Sequence, residues 1–421
     1  MVRLLTPFSI GLLGLALHTS ASAEEPSRHR FELGADLSYV SVSGHQSWTE
    51  GGAGKLRYDD DGLVFSRGFL DVGLQLTDTV ELNLDIELYN DDLGPLADFT
   101  EAFVEWRPLV DSANRYRFKV GAFYPRVSME NTAPGWSSPY TISPSALNTW
   151  VGEELRSYGM EASISRRPAS LGGAHSFSLH GSIFYKNDPA GALLAWKGWS
   201  IHDRQTRLSD ILPLPPLPQI QPGMWFQRQD PFLALFMEID NDPGYYVSAE
   251  YRYSNKAMFR VTHYDNRADP RAFENGQYGW GTDFNMLGMQ FTLPGDIGLI
   301  YQWMDGLTVM GPFIRGAHVV DADYYSDFLL LTRAFGPHRL SARYDRFGVY
   351  ENDSVPLDDN SEYGHGITVS YAFEMNKNVS LAAEWISIYT YRDAWEYYGL
   401  EDEGTETQLQ LAVRLRFGNS R

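Results

Sequence analysis

The segment "VELNLDIELYN" (80–90) alternates without a break, setting Val80, Leu82, Leu84, Ile86 and Leu88 against Glu81, Asn83, Asp85, Glu87 and Tyr89. A period of two predicts a β-strand with one apolar and one polar face. The same pattern, bounded by turn residues, recurs along the chain. It predicts strands near 31–42, 63–76, 80–90, 99–107, 116–124, 153–165, 176–186, 245–253, 257–265, 279–293, 297–305, 324–335, 339–347, 363–373, 378–388 and 405–417. The expected fold class is therefore all-β, with sixteen antiparallel strands.

One strand does not say which face looks inward. A soluble sandwich buries its leucines, whereas an outer-membrane barrel turns them onto lipid and wets its carboxylates. The connections separate the two. Every second one is short: "TDT" (77–79), "PLVDSANR" (108–115), "RPASLGGAH" (167–175), "SNK" (254–256), "PGD" (294–296), "GPH" (336–338) and "EMNKN" (374–378). The intervening ones are mostly long, reaching 125–152 and 187–244. Tight periplasmic turns alternating with long extracellular loops, on an even strand count, are what a transmembrane antiparallel β-barrel requires. Inside 187–244, "PFLALFMEID" is a candidate extra strand that would need a partner.

The lipid-facing sets then include Leu70, Val72, Leu74 and Leu76; Ala102, Val104 and Trp106; Phe118, Val120 and Ala122; and Val247, Ala249, Tyr251 and Tyr253. They continue with Leu299, Tyr301 and Trp303; Val369, Tyr371 and Phe373; and Leu381, Ala383 and Trp385. The last strand, "TQLQLAVRLRF", puts Thr407, Leu409, Leu411, Val413, Leu415 and Phe417 on one face, similar to the C-terminal insertion signal of outer-membrane barrels. Four residues, "GNSR", follow Phe417. On this assignment Glu81, Asp85 and Glu87 face water inside a bore.

Composition agrees. Tyr (25), Phe (23) and Trp (11) are abundant and supply aromatic girdles. The net charge of −20 excludes nucleic acid as a partner, because phosphates would be repelled. There is no Cys, which rules out disulfides, thiolate metal sites and a lipoprotein anchor. Residues 1–23, with Arg3, an apolar run and "ASA" at Ala21 to Ala23, read as a secretory signal peptide. Residues 24–421 form a single outer-membrane β-barrel domain, with too few residues before the first strand for a plug domain. The expected location is the bacterial outer membrane.

At "VGAFYPRVSMEN" (120–131) the chain resembles the phosphate-selective porin O/P family of Gram-negative outer membranes. Val120, Gly121, Phe123, Pro125, Ser128, Met129 and Glu130 carry the likeness. The resemblance implies a sixteen-stranded homotrimeric diffusion channel whose third loop folds inward to narrow the pore. Arg126, Glu130, Glu153, Glu154 and Arg156 become the constriction candidates. The family's clustered basic residues are absent here, because loop 125–152 has Arg126 as its only Lys or Arg, which argues against phosphate selectivity.

Strand parity points Arg107, Arg117, Lys119, Arg252, Arg260, Arg343, Arg414 and Arg416 inward, together with the acids Glu81, Asp85, Glu87, Glu105, Glu250 and Asp345. These either pair across strands or form a basic wall that guides an anion. The outer loops "YDDDG" (58–62), "YENDSVPLDDNSEY" (350–363) and "LEDEGTE" (400–406) are acidic. They are ordinary solvated charge, or they share divalent cations with lipopolysaccharide. None has calcium-loop spacing. Loop 187–244 joins Trp196, Trp199, Trp225 and Phe226 to "LPLPPLPQIQPG" (212–223), which is rim packing or a plug over the pore.

No catalytic constellation is present: no His-Glu-x-x-His, Gly-x-Ser-x-Gly or phosphate loop. His175 and His180 lack a partner at metal-ligand spacing. His263 falls on an outward face with no placeable Ser. The reading is thus not an enzyme, with no cofactor and no metal. It is a porin passing small hydrophilic solutes such as ions, sugars or organic anions, in contact with lipid and lipopolysaccharide. The alternative is a surface interaction barrel with a closed lumen and partner-binding loops.

Overall fold

The computed structural model describes residues 29–166 and 173–419. Among them sixteen strands close into one barrel. The first seven are β1 (Arg30–Ser43), β2 (Gly62–Gln75), β3 (Val80–Leu88), β4 (Ala97–Trp106), β5 (Asn114–Phe123), β6 (Ser157–Arg166) and β7 (His175–Tyr185). Then come β8 (Gly244–Tyr253), β9 (Ala257–Asp265), β10 (Gly281–Leu293), β11 (Ile297–Met310) and β12 (Val320–Phe335). The last four are β13 (His338–Glu351), β14 (Glu362–Asn376), β15 (Val379–Arg392) and β16 (Glu403–Gly418). Each pairs antiparallel with its chain neighbour, and β1 closes on β16 through pairs such as Leu33 with Phe417 and Tyr39 with Leu411. The signal peptide reading at 1–23 and most of the turn expected at 167–175 lie outside the described residues.

The outer face is the apolar one. Leu33, Leu37, Val120, Met160, Leu179, Val247, Val261, Leu331, Val369, Leu411 and Val413 are all exposed. An apolar belt on this scale belongs against hydrocarbon, not water. Among the described residues three register shifts adjust the wall, one at Met375 beside the β14–β15 turn and two deeper in it. Ser66 is skipped between the pairs Asp36–Arg67 and Leu37–Phe65, and Thr100 between Asp85–Glu101 and Ile86–Phe99. An unpaired residue in one strand bends it, and here both extra residues end buried.

The strand expected from 153 begins only at Ser157. Residues 146–154 instead form helix α1 (Ala146–Glu154), capped by Ser145, whose Oγ accepts the Asn148 N–H at 3.2 Å. This stretch has left the wall, so no neighbouring strand pairs with its backbone and a helix satisfies it internally. "PFLALFMEID" does not add a strand to the barrel. Only Phe232–Leu233 pairs, with Leu212–Pro213, and that ladder stands apart from the wall.

Loops intrude into the expected water-filled bore, the third of them as the resemblance implies. Its middle is solid protein. Trp150, Trp199, Phe284, Tyr324, Phe347, Ile386 and Ile388 are at most 2% exposed and belong to one apolar cluster. Trp150 stacks edge-on against Trp199 at 6.0 Å and Phe284 at 5.8 Å, and tilts over Tyr324 at 5.3 Å. Wall residues therefore face inward onto the third and fourth extracellular loops, L3 (124–156) and L4 (186–243). The latter carries a second short helix, α2 (Ala192–Lys197).

Candidate functional site: the loop-filled bore

L3 follows the end of β5, in which Gly121, with a φ of +140°, lets the strand pass close to Ala102 and Phe103. A turn follows in which Ser128 Oγ accepts the N–H groups of Glu130 and Asn131, at 3.3 and 2.9 Å. From there L3 crosses the lumen and is held on several sides. Arg260 Nη1 donates to Ser128 O at 2.8 Å, and Gln302 Oε1 accepts Met129 N–H at 3.0 Å. Arg67 donates to Gly135 O. Glu384 accepts Ile142 and Ser143 N–H at 2.6 and 2.8 Å. Arg343 Nη1 donates to Ser143 O at 2.8 Å, beside Asp345, which accepts Ala146 N–H at 3.1 Å. Strands β2, β9, β11, β13 and β15 thus all grip one loop.

L4 is fastened to L3 and to the opposite wall. Glu153 pairs with Lys197 and meets His202 Nε2 at 2.7 Å. Lys55, from the first loop, lies 2.7 Å from Glu362, which also pairs with Arg392 at 3.0 Å. Burial pulls the Lys55 ammonium down to about 8, with Glu362 opposing that pull. Arg392 also donates to Ala195 O and Trp196 O at the end of α2. Arg57 pairs with Asp203 at 2.9 Å, and Arg204 with Asp91 at 2.7 Å and Asp210 at 2.8 Å.

The five constriction candidates from the sequence divide accordingly. Arg126 borders a cavity and sits 3.6 Å from Glu250. Glu130 is fully buried within L3, accepting Ser145 N–H at 2.6 Å and Asn148 Nδ2 at 2.9 Å, with Arg343 at 3.6 Å. Glu153 and Glu154 are the fastenings to L4. Arg156 stacks on Tyr124 at 3.5 Å and donates to Thr100 O and Thr206 O at 2.9 and 2.5 Å.

The wall candidates all point inward. Glu81 and Asp85 border an acidic cavity of about 620 Å³ together with Asp71, Glu101 and Arg107. Glu87 pairs with Arg67 and is fully buried. Glu105 holds Arg107 and Arg117. Lys119 lies 4.7 Å from the Phe103 ring. Arg252 and Arg260 converge on Glu250 at 2.5 and 2.7 Å. Arg343 pairs with Asp345 at 2.8 Å, and Arg414 and Arg416 share Asp36 at 3.5 and 2.5 Å.

The sequence reading missed Arg67, which joins the wall to L3, Arg57, which joins L4 to the wall through Asp203 and Ser66 O, and Asp36, which pairs with Arg414 and Arg416 within the wall. A second cavity, about 640 Å³, lies between the turn at Pro108–Asp111 and the inner face of β5–β7. Both cavities occupy the end of the barrel with the short turns.

Asp188, Glu238 and Asp240 bring carboxylate oxygens within 4.8 Å of one another. Asp188 already accepts the Ile239 and Asp240 N–H groups there, so it braces a turn. On the outer face His263 meets Tyr245 Oη at 3.2 Å and Asn285 Oδ1 at 3.0 Å, with no Ser among these contacts.

No protein-family profile matches the chain, and no curated protein matches it by sequence. Its shape, however, has solved counterparts. OmpT of Vibrio cholerae with loop L8 deleted, an outer membrane protein, is 10% identical, covering 93% of this chain and 100% of its own at a TM-score of 0.52. The outer membrane channel DcaP of Acinetobacter baumannii is 8% identical, covering 92% and 96%, with a TM-score of 0.51. An anion-selective porin from Comamonas acidovorans is 12% identical, covering 92% and 99%, with a TM-score of 0.50. The chain has the fold of an outer-membrane β-barrel. At such identities the likeness carries the architecture of the barrel and not the chemistry of its bore.

Proposed function

We propose that this barrel is a porin of the bacterial outer membrane, a channel for passive diffusion of small hydrophilic solutes, here with L3 and L4 folded across its bore. The observation that carries the reading is the closed sixteen-stranded wall with an apolar outside and charged cavities inside. Sixteen strands enclose more space than wall side chains alone fill, so what passes depends on the loops. The apolar belt fits lipid and lipopolysaccharide. A homotrimer, and the phosphate-selective subtype, rest on the resemblance at 120–131 alone. The single basic residue of loop 125–152 weighs against phosphate selectivity.

The dry packing of Trp150 and Trp199 favours a second reading, a barrel with a shut lumen whose loops bind a partner. Planar-bilayer recordings on detergent-purified, folded protein separate the two. Stepwise conductance supports the channel, and silence from protein that migrates as a folded barrel supports the second reading. The reversal potential in a salt gradient then gives the sign of ion preference.

A further inference from the structure

The 640 Å³ cavity between the Pro108–Asp111 turn and the inner wall is lined by Arg107, Arg115, Arg117 and Arg126. Carboxylates here are outnumbered. Asp111 also lines the cavity; Arg107 and Arg117 share Glu105, with Glu81 also 3.3 Å from Arg107, while Arg126, Arg252 and Arg260 share Glu250. Among the described residues Arg115 has no carboxylate within ion-pair distance. In a chain of net charge −20 this is a local excess of positive charge, set in a concave, low-dielectric wall that focuses its field.

A second feature of the same cavity points to a ligand. His180 is 4% exposed, and neither ring nitrogen has a hydrogen-bond partner; Arg126 Nε is likewise buried and unpartnered. Buried polar groups are nearly always satisfied, and leaving one unmet costs roughly 1–3 kcal/mol. Both belong to residues that line this cavity, and although the atoms themselves are shielded, an incoming acceptor meets them once the side chains turn. Ser163, Ser165 and Ser178 add hydroxyl donors around it. Guanidinium, hydroxyl and imidazole N–H donors converging on one space match the several oxygens of an oxyanion.

The volume is that of a small-molecule site rather than of an inorganic ion, and Leu109 and Val110 give it an apolar flank. The geometry points to a binding site for a small organic oxyanion, of di- or tricarboxylate size, on the β5–β7 wall. It gives the proposed channel a preferred class of solute, so it rests on that reading for its role, though not for its binding.

The test uses citrate as probe, with inorganic phosphate as the comparison arm. Full-length protein in detergent micelles is titrated by calorimetry, and histidine ring signals are followed by NMR, with His180 assigned from a His180→Gln sample. Saturable citrate binding is expected, weakened at least tenfold in Arg126→Gln and in Arg117→Gln. The control is Arg346→Gln, whose guanidinium pairs with Asp327 on the outer surface. Each cavity variant leaves its carboxylate with another arginine, and a heat-modifiability gel reports folding. A His180 shift on citrate addition supports the site. Equal citrate binding in Arg126→Gln and Arg346→Gln, a motionless His180 signal, or phosphate binding as tight as citrate overturns it. Conductance without citrate binding also overturns the site while leaving the channel. Binding in protein that never conducts supports the site and removes the channel reading.

Discussion

The carboxylate of Glu154, the last residue of α1, accepts the Leu194 N–H at 2.7 Å and the Gly191 N–H at 2.6 Å. Leu193 N–H follows at 3.3 Å, and Trp150 Nε1 donates to the same group at 2.9 Å. One side chain of L3 therefore satisfies the free amides at the start of α2 in L4. The two loops are a single insert, so whatever moves one must move the other.

Replacing Glu154 by Ala strands those buried amides, at a cost of about 1–3 kcal/mol in loop docking. L4 should then open more often without unfolding the wall. Trypsin, acting at Lys197, Arg204 and Arg207, should cut the folded variant several-fold faster than the parent, in which all three are buried. Glu154→Gln keeps one acceptor oxygen and should fall between them. Equal cleavage of all three proteins would contradict the linkage.

The pair of Glu153 and Lys197 calls for a different experiment. Both side chains are at most 2% exposed. Breaking such a pair leaves a buried charge and costs about 3–5 kcal/mol, whereas replacing both partners by apolar groups is often neutral. Lys197→Met should therefore weaken the insert strongly and raise open-channel frequency in bilayers. The double variant Glu153→Leu with Lys197→Met should recover most of the loss. Additive damage in the double variant would show that the pair is not the fastening.

The wall was legible because a half-exposed strand writes its period in local sequence. All sixteen strands exist where alternation indicated them, the sixth starting four residues late at Ser157, and Leu84 and Glu81 took opposite faces as expected. Loop sequence alone does not choose between a bore that is open, narrowed by the third loop or plugged by 187–244, although "FLLL" at 328–331 carries a signal for filling. There Leu329 and Leu331 face out while Phe328 and Leu330 are fully buried inside, and a strand apolar on both faces implies protein on both sides. The roles of Glu153 and Arg156 depend on contacts with L4, distant in sequence, and that of Glu130 on the fold of L3 against Arg343, none of which a spacing rule encodes. Helix α1 was missed because most of it lies inside the stretch read as loop 125–152, while its last two residues, Glu153 and Glu154, were joined to the strand that begins at Ser157.

The outward orientation of β3 is tested at Leu84, which pairs with Val72 and Ala102 on the outer face. Arginine at this depth should cost about 2–4 kcal/mol in a lipid bilayer and lower the folded fraction in vesicles. Leu63→Arg, at the loop end of β2 where the side chain is 86% exposed, should fold almost normally. Unchanged folding of Leu84→Arg would remove the lipid from that face.

Gly121 carries a steric requirement. A Cβ there would lie 2.3 Å from Ala102 O and 2.7 Å from Phe103 Cα, both backbone atoms, at a φ of +140°. Gly121→Ala should loosen the β4–β5 seam and cost about 1–3 kcal/mol from strain alone. Amide exchange in residues 102–106 and 118–122 should accelerate. Gly62→Ala, with open space around its Cβ, should leave exchange unchanged.

Loop 352–361 should respond to pH through Asp358. Burial, with the nearby charge of Asp353, pushes its carboxyl up to about 7, while the Asn360 hydrogen bond, Arg392 and the added charge of Asp359 modify the effect. Between the ordinary value of 3.8 and about 7 the docked loop holds a proton that an undocked loop releases. Docking is thus strongest below that window, weakens as pH rises through it, and levels off above. Hydrogen exchange across 352–361, corrected for intrinsic rates, should show less protection at pH 7.5 than at pH 5. Asp358→Asn removes the charge yet can still meet Asn360, so it should be protected at both pH values. A parent loop equally protected at pH 5 and 7.5 would mean that Asp358 does not hold this proton.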